Sequence, residues 1–126
     1  MSFNWQNKSV LIVEDEEDNF ELLCAILDET GIEILKATNG IEAVEQFNNS
    51  ETLDLILMDI KMPELDGLDA TKEIRKKDKK IPIIAQTAYA LSGDKERALE
   101  AGCSSYIPKP IDGVQLLHIM SHYLDS

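Results

Sequence analysis

The stretch Leu53-Asp54-Leu55-Ile56-Leu57-Met58-Asp59, with Met62-Pro63 and Asp66-Gly67 close behind it, decides how this chain folds. From Leu53 to Met58 the apolar run lacks the alternation of a half-exposed strand. It reads instead as a strand buried on both faces, the kind found inside a parallel sheet. The run stops at a carboxylate, Asp59, and Pro63 with Asp66-Gly67 makes the following segment a loop. A strand covered on both faces needs helices on both sides, and the flanking sequence supplies them.

Toward the N-terminus, Ser9 to Val13 reads as the first strand. Asp18 then precedes Phe20, Leu23, Cys24 and Leu27 at helical spacing, with Gly31 placed to close that helix as a left-handed cap. Ile32 to Ala37 is a second strand, Asn39-Gly40 a turn signal, and Ile41, Val44 and Phe47 a helical stripe. Toward the C-terminus, Leu68 to Lys77 reads as a helix with a basic far end, and Pro82 to Gln86 as the fourth strand. Ser92 is placed to cap a helix running to Gly102 with Asp94 and Glu96 in its first turn. Tyr106-Ile107 is a short fifth strand, and Asp112 caps a last helix through about Tyr123. Five βα units give an α/β fold, a (βα)5 doubly wound five-stranded parallel sheet, in one domain over residues 1–126.

Composition agrees with one globular domain: 126 residues, 44% hydrophobic, 29% charged and 6% aromatic. Twelve bases against twenty-four acids give a net charge of −12, which repels phosphate backbones and anionic lipid, so no direct nucleic-acid or membrane partner is expected. No apolar run approaches the roughly 20 residues of a membrane helix, and the N-terminus lacks the layout of a signal peptide. The expectation is a soluble, cytoplasmic protein. Cys24 and Cys103 are far apart and fit neither a metal-ligand pair nor a disulfide framework; they are expected as reduced thiols.

Ligands of open parallel sheets bind outside the carboxyl ends of the strands. The residues just past the strands here are Glu14 and Asp15, Asp59, Thr87 and Lys109. Carboxylates crowded on one rim repel unless a hard cation sits among them, and Mg²⁺ takes oxygen ligands while binding substrate phosphate. A metal beside a carboxylate and a lysine is also what aspartyl phosphorylation needs, because the phosphoryl oxygens must be met by cationic and hydroxyl donors. Asp59 would be the nucleophile.

The acidic pair Glu14-Asp15 after Val10-Leu-Ile-Val13, the run Leu57-Met-Asp-Ile-Lys-Met-Pro-Glu-Leu-Asp-Gly67, Thr87-Ala88, and Tyr106-Ile-Pro-Lys-Pro110 together resemble the receiver domain of two-component response regulators. The resemblance covers Lys8 to Tyr123. It implies a flavodoxin-like sheet of strand order 2-1-3-4-5 and a signalling switch in place of an enzyme with a diffusible substrate. It further implies that Asp59 accepts a phosphoryl group from the phosphohistidine of a histidine kinase or histidine phosphotransfer protein. Asp15, Asp59 and the backbone carbonyl of Lys61 would ligate Mg²⁺, with Glu14 helping through water. Lys109 and Thr87 would contact the phosphoryl oxygens, and Tyr106 would turn inward when Thr87 moves, altering a partner face built from the fourth helix, fifth strand and fifth helix. Thr87-Ala-Tyr-Ala90 with Ser92-Gly-Asp94 and Ala101-Gly102 looks most like receivers of hybrid histidine kinases. Glu14 stands where the family more often has Asp, one methylene longer.

Lys61, Ala88 and Tyr89, one or two residues past Asp59 and Thr87, are expected to flank the mouth of the phosphoryl pocket. The rival enzyme reading, a phosphatase or phosphotransferase of the haloacid dehalogenase type, needs a second Asp two residues after the nucleophile, where Lys61 stands. Glu16, Glu17 and Asp18 read as structural acids at a helix start, and Arg75, Lys76, Lys77, Lys79 and Lys80 as a solvated helix end. His118 and His122 are four apart on a helix with no third ligand evident. Trp5 is either an edge-packing residue or part of a contact with a neighbouring domain.

Overall fold

The computed structural model describes residues 3–61, 66–88 and 93–125. Among these, five parallel strands form one sheet: β1 (Ser9–Val13), β2 (Glu33–Ala37), β3 (Leu55–Asp59), β4 (Ile83–Thr87) and β5 (Ser105–Pro108), in the order β2-β1-β3-β4-β5. The connecting helices are α1 (Glu17–Leu27), α2 (Gly40–Asn49), α3 (Gly67–Arg75), α4 (Asp94–Ala101) and α5 (Gly113–Leu124), with a 3₁₀ turn at Asp28–Thr30. The fold class and strand order are those expected.

Every residue of β1, β3 and β4 is buried, which is why these strands are apolar without alternation. Their side chains still alternate between two cores. Val10, Ile12, Leu55, Leu57, Ile84 and Ile107 pack under α1 and α5 with Leu23, Leu116 and Met120, whereas Leu11, Val13, Ile56, Met58, Ile83 and Ala85 pack under α2, α3 and α4. Trp5 belongs to the first core: it is 1% exposed, its Nε1–H donates to Asp125 Oδ1 at 2.9 Å, and Phe3 lies 5.2 Å away ring to ring.

Two turn signals turn out to be helix starts. Asn39 caps α2, accepting from Glu42 N–H, and Asp66 caps α3, accepting from Asp69 N–H, both at 2.9 Å. Gly67 is then the first residue of α3, and its hydrogen side chain is a packing requirement. A Cβ there would overlap the Asp59 carbonyl oxygen and stand 2.7 Å from Ile60 Cα. The start of α3 is thus pressed against the end of β3. Gly31 and Gly102 take the left-handed conformation expected of helix-closing glycines, Gly31 after the 3₁₀ turn. Ser92, expected as the α4 cap, lies outside the described residues.

Candidate functional site

The order β2-β1-β3-β4-β5 reverses its winding between β1 and β3, and the candidate residues stand on that rim. Side-chain alternation sorts them. Glu14, Asp59 and Lys109 continue the series Val10-Ile12, Leu55-Leu57 and Ile107 on the α1/α5 side; Asp15 and Thr87 continue Leu11-Val13 and Ile83-Ala85 on the other. The site therefore straddles the edge of the sheet, approached by both helical layers.

Glu14 and Asp59 are 1% and 3% exposed, and Asp15 is open to solvent. Each offers a carboxylate oxygen within 4.8 Å of the others; among the described residues no other trio of potential metal ligands comes together in this way. Lys109 Nζ lies 3.1 Å from Asp59 Oδ2, 3.4 Å from Glu14 Oε1 and 3.9 Å from Glu16 Oε1. The other Asp59 oxygen accepts the Lys61 N–H at 3.1 Å. The Lys109–Pro110 peptide is cis, and Lys109 N–H donates to the Thr87 carbonyl at 2.8 Å, which ties the end of β5 to that of β4.

One ammonium does not neutralise this group. Burial and the neighbouring Glu14 carboxylate push Asp59 up from 3.8 to about 6, although Lys109 and the Lys61 N–H oppose them. Burial depresses Lys109, but the attraction of Asp59 and Glu14 outweighs it and the net direction is upward. An all-oxygen set with surplus negative charge fits a hard divalent cation. A cleft of about 390 Å³ opens beside it, lined among others by Asp15, Lys61, Asp66, Asp94 and Arg97.

The Thr87 hydroxyl donates to Asp94 Oδ2 at 3.1 Å, and Asp94, itself buried, is paired with Arg97. Tyr106 is half-buried against the second core with Lys95 Nζ 5.0 Å from its ring centre. The Lys61 side chain and Ala88 are exposed at the rim, and Tyr89 lies outside the described residues. His118 and His122 make edge contacts with Phe3 and Tyr123 and take no part in the cluster. Arg75 departs from the expected solvated helix end, half-buried and held by the carbonyls of Gly102 and Asp78, whereas Lys76 is exposed and pairs with Glu73.

The model of the response regulator receiver domain matches residues 10–121. The chain belongs to this receiver family. The polar-differentiation response regulator DivK of Brucella anthropi is 42% identical over 119 residues, 93% of this chain and 96% of that protein, and DivK of Brucella ovis is 40% identical with the same coverage. Among solved structures, the receiver domain of a Pseudomonas aeruginosa sensor histidine kinase, with magnesium coordinated in its active-site cleft, aligns at TM-score 0.87 and 38% identity over 94% of this chain and 98% of that one. A chain from the co-crystal of the Saccharomyces cerevisiae phosphotransfer protein Ypd1 with the receiver of Ssk1 aligns at TM-score 0.88 and 32% identity, covering 99% and 92%.

The receiver's rim also holds residues that motif reading passes over. Asn19, in the first turn of α1, donates through Nδ2 to Glu14 Oε1 and, at 3.1 Å, to Gln86 Oε1. Glu16 N–H donates to Glu14 Oε2 at 3.2 Å. Gln86 could have been noticed: it is a long amide directly after Ile83-Ile84-Ala85, at a position alternation puts inside.

Proposed function

We propose that Asp59 is the phosphoacceptor of this receiver. One Asp59 oxygen attacks the phosphorus of a phosphohistidine on a histidine kinase or phosphotransfer protein. The P–O bond forms as the P–N bond breaks, and the imidazole leaves. The observation that carries this reading is the buried Asp59 carboxylate at the end of the central strand, 3.1 Å from Lys109 and grouped with Glu14 and Asp15. Asp59 reacts in its ionised form, so its upward shift to about 6 still leaves it competent at neutral pH. Asp15 and Asp59 with the Lys61 carbonyl would hold Mg²⁺, and Glu14 would reach it through water. When bound, the ion neutralises the clustered carboxylates and meets the charge of the phosphoryl oxygens. Lys109, 3.1 Å from Asp59 Oδ2, would meet the charge of a phosphoryl oxygen once the group is on Asp59. Thr87 reaches the phosphoryl group by leaving Asp94.

That exchange gives the switch its direction. Thr87 moving inward vacates space beside β5 into which the Tyr106 ring turns, and the α4-β5-α5 face changes for a downstream partner. The magnesium-bound receiver and the phosphotransfer co-crystal among the similar structures support the metal and donor classes. The motif Thr87-Ala-Tyr-Ala90 and the likeness to a sensor-kinase receiver support a hybrid-kinase type. We place residues 1–126 in the cytoplasm as one receiver domain that takes up and loses its phosphoryl group by its own chemistry.

The test is intact-mass measurement after incubation with acetyl phosphate. Wild type with Mg²⁺ should gain one phosphoryl group; Asp59→Asn, and wild type in EDTA, should gain none. Uptake by Asp59→Asn would remove Asp59 as the acceptor.

A further inference from the structure

We propose that Asn19 and Gln86 form a side-chain relay that positions the Glu14 carboxylate for the metal cluster, a role that rests on the metal reading above. Glu14 is buried and acceptor-only, with about four lone-pair directions on its two oxygens. Three are taken: Oε1 by Asn19 Nδ2 and by Lys109 at 3.4 Å, Oε2 by the Glu16 N–H at 3.2 Å. One direction, on Oε2, remains for a water or an ion. Where that direction points is set by the donors, and Asn19 is the one that comes from a helix.

Asn19 is itself fixed from behind. Its amide nitrogen carries two hydrogens, one on Glu14 and the other on Gln86 Oε1. Reversing the amide would set an oxygen against the Glu14 carboxylate, so the charge dictates its orientation. The same charge dictates that of Gln86, because turning the glutamine would put two N–H groups face to face. Gln86 is fully buried on β4, in register with Asp59 on one side and Ile107 on the other. Its Nε2 is, among the described residues, the buried side-chain polar atom with no hydrogen-bond partner in the protein. An apolar side chain would suit that site in the core better. A buried amide that commits its oxygen to Asn19 and leaves its nitrogen unmatched breaks a packing rule, as positions serving a function do. The relay encloses Asp59: it runs from β4, beside Asp59, across α1 to the end of β1.

Outer partners of ligating groups typically contribute tenfold or more to metal affinity. Mg²⁺ titration of the purified chain, followed through backbone amide shifts of residues 14–16 and 59–61, should give a dissociation constant roughly tenfold weaker for Asn19→Ala. Gln86→Met keeps the length of the side chain and removes both polar atoms. It should weaken Mg²⁺ roughly threefold, a partial share of the same effect, while its urea midpoint stays at or above that of wild type. The double variant should bind no more weakly than Asn19→Ala, because both residues act through one hydrogen bond. Wild-type affinity in Gln86→Met, or a loss of affinity that appears only with a lowered midpoint, overturns the relay and leaves the metal reading intact. If wild type itself shows no Mg²⁺-dependent shifts, the metal reading fails and the relay with it.

Discussion

At the amino ends of the strands, the Ser9 N–H donates to Asp54 Oδ2 and its hydroxyl to the Thr52 carbonyl, both at 2.8 Å, the Thr30 hydroxyl reaches the Leu27 carbonyl at 2.7 Å, and the Trp5 indole is held by Asp125. At the carboxyl ends the same sheet presents two buried carboxylates and an exposed one around a single ammonium, with a half-matched buried amide behind them. The first end is closed, each of these polar groups answered by a neighbour in the chain. The second is left with surplus charge that the chain's own cation does not cancel. One sheet supports both because β1, β3 and β4 are buried apolar strands that hold the two ends in fixed relation. The contrast predicts a difference in sign: substitutions at the closed end should weaken the fold, and neutralising the rim should strengthen it.

The largest effect belongs to the closed end. Trp5→Ala removes a fully buried indole and its bond to Asp125, and should cost about 3–5 kcal/mol in urea unfolding. Phosphoryl uptake at temperatures where the variant stays folded should be unchanged. A loss of uptake without unfolding would mean that the ends are coupled.

Asp59→Asn should act in the opposite direction. With Asp59 at about 6 in the folded chain against 3.8 for an ordinary aspartate, the native state holds a proton between about pH 4 and 6 that the unfolded state has released. Wild-type stability therefore falls as pH rises through that window and levels off above it. The interval corresponds to about 3 kcal/mol, and sharing of the effect with Glu14 makes about 2 kcal/mol the expected gain for Asp59→Asn at pH 7.5 in metal-free buffer. The gain should vanish near pH 4 and shrink when Mg²⁺ is added. Equal stability of the two proteins across pH 4 to 8 would show that the rim carries no excess charge. At the closed end Asp54→Ala leaves the Ser9 N–H unanswered and should cost about 1–2 kcal/mol.

These residues also mark how far sequence reaches. β3 was legible because burial on both faces leaves a continuous apolar run, and the rim candidates because each follows such a run. Strand ends shift by a residue or two for a physical reason: Asp59 pairs in register with Gln86, so the ladder outlasts the hydrophobic run and takes the carboxylate into the strand. Asp66-Gly67 reads locally as a turn. The reason for its glycine is the backbone of Asp59 and Ile60 pressed against it, a tertiary demand that no local pattern records. Asn19 is an unremarked polar residue in a first helical turn until the fold brings Glu14 and Gln86 to either side of it. The Thr87–Asp94 bond likewise joins segments that sequence treats as separate signals.

The smallest expected effect concerns the lifetime of the phosphoryl group. Hydrolysis of an aspartyl phosphate needs a water in line with the bond to Asp59, and side chains at the mouth govern access to that line. Lys61 stands there, exposed and lining the cleft, with its N–H on Asp59; Tyr89, two residues past Thr87, lies outside the described residues and enters from the sequence alone. Neither is an acid or an amide able to orient the water, so the phosphorylated receiver should lose its group slowly. Lys61→Asn supplies such an amide, and Tyr89→Ala removes bulk. Each should speed phosphate loss roughly threefold, less than about 1 kcal/mol in barrier, with uptake from acetyl phosphate little changed. Acid-quenched intact-mass time courses would resolve this. If Lys61→Asn and Tyr89→Ala both decay at the wild-type rate, the mouth does not control water, and the lifetime belongs to Thr87, Lys109 and the metal cluster.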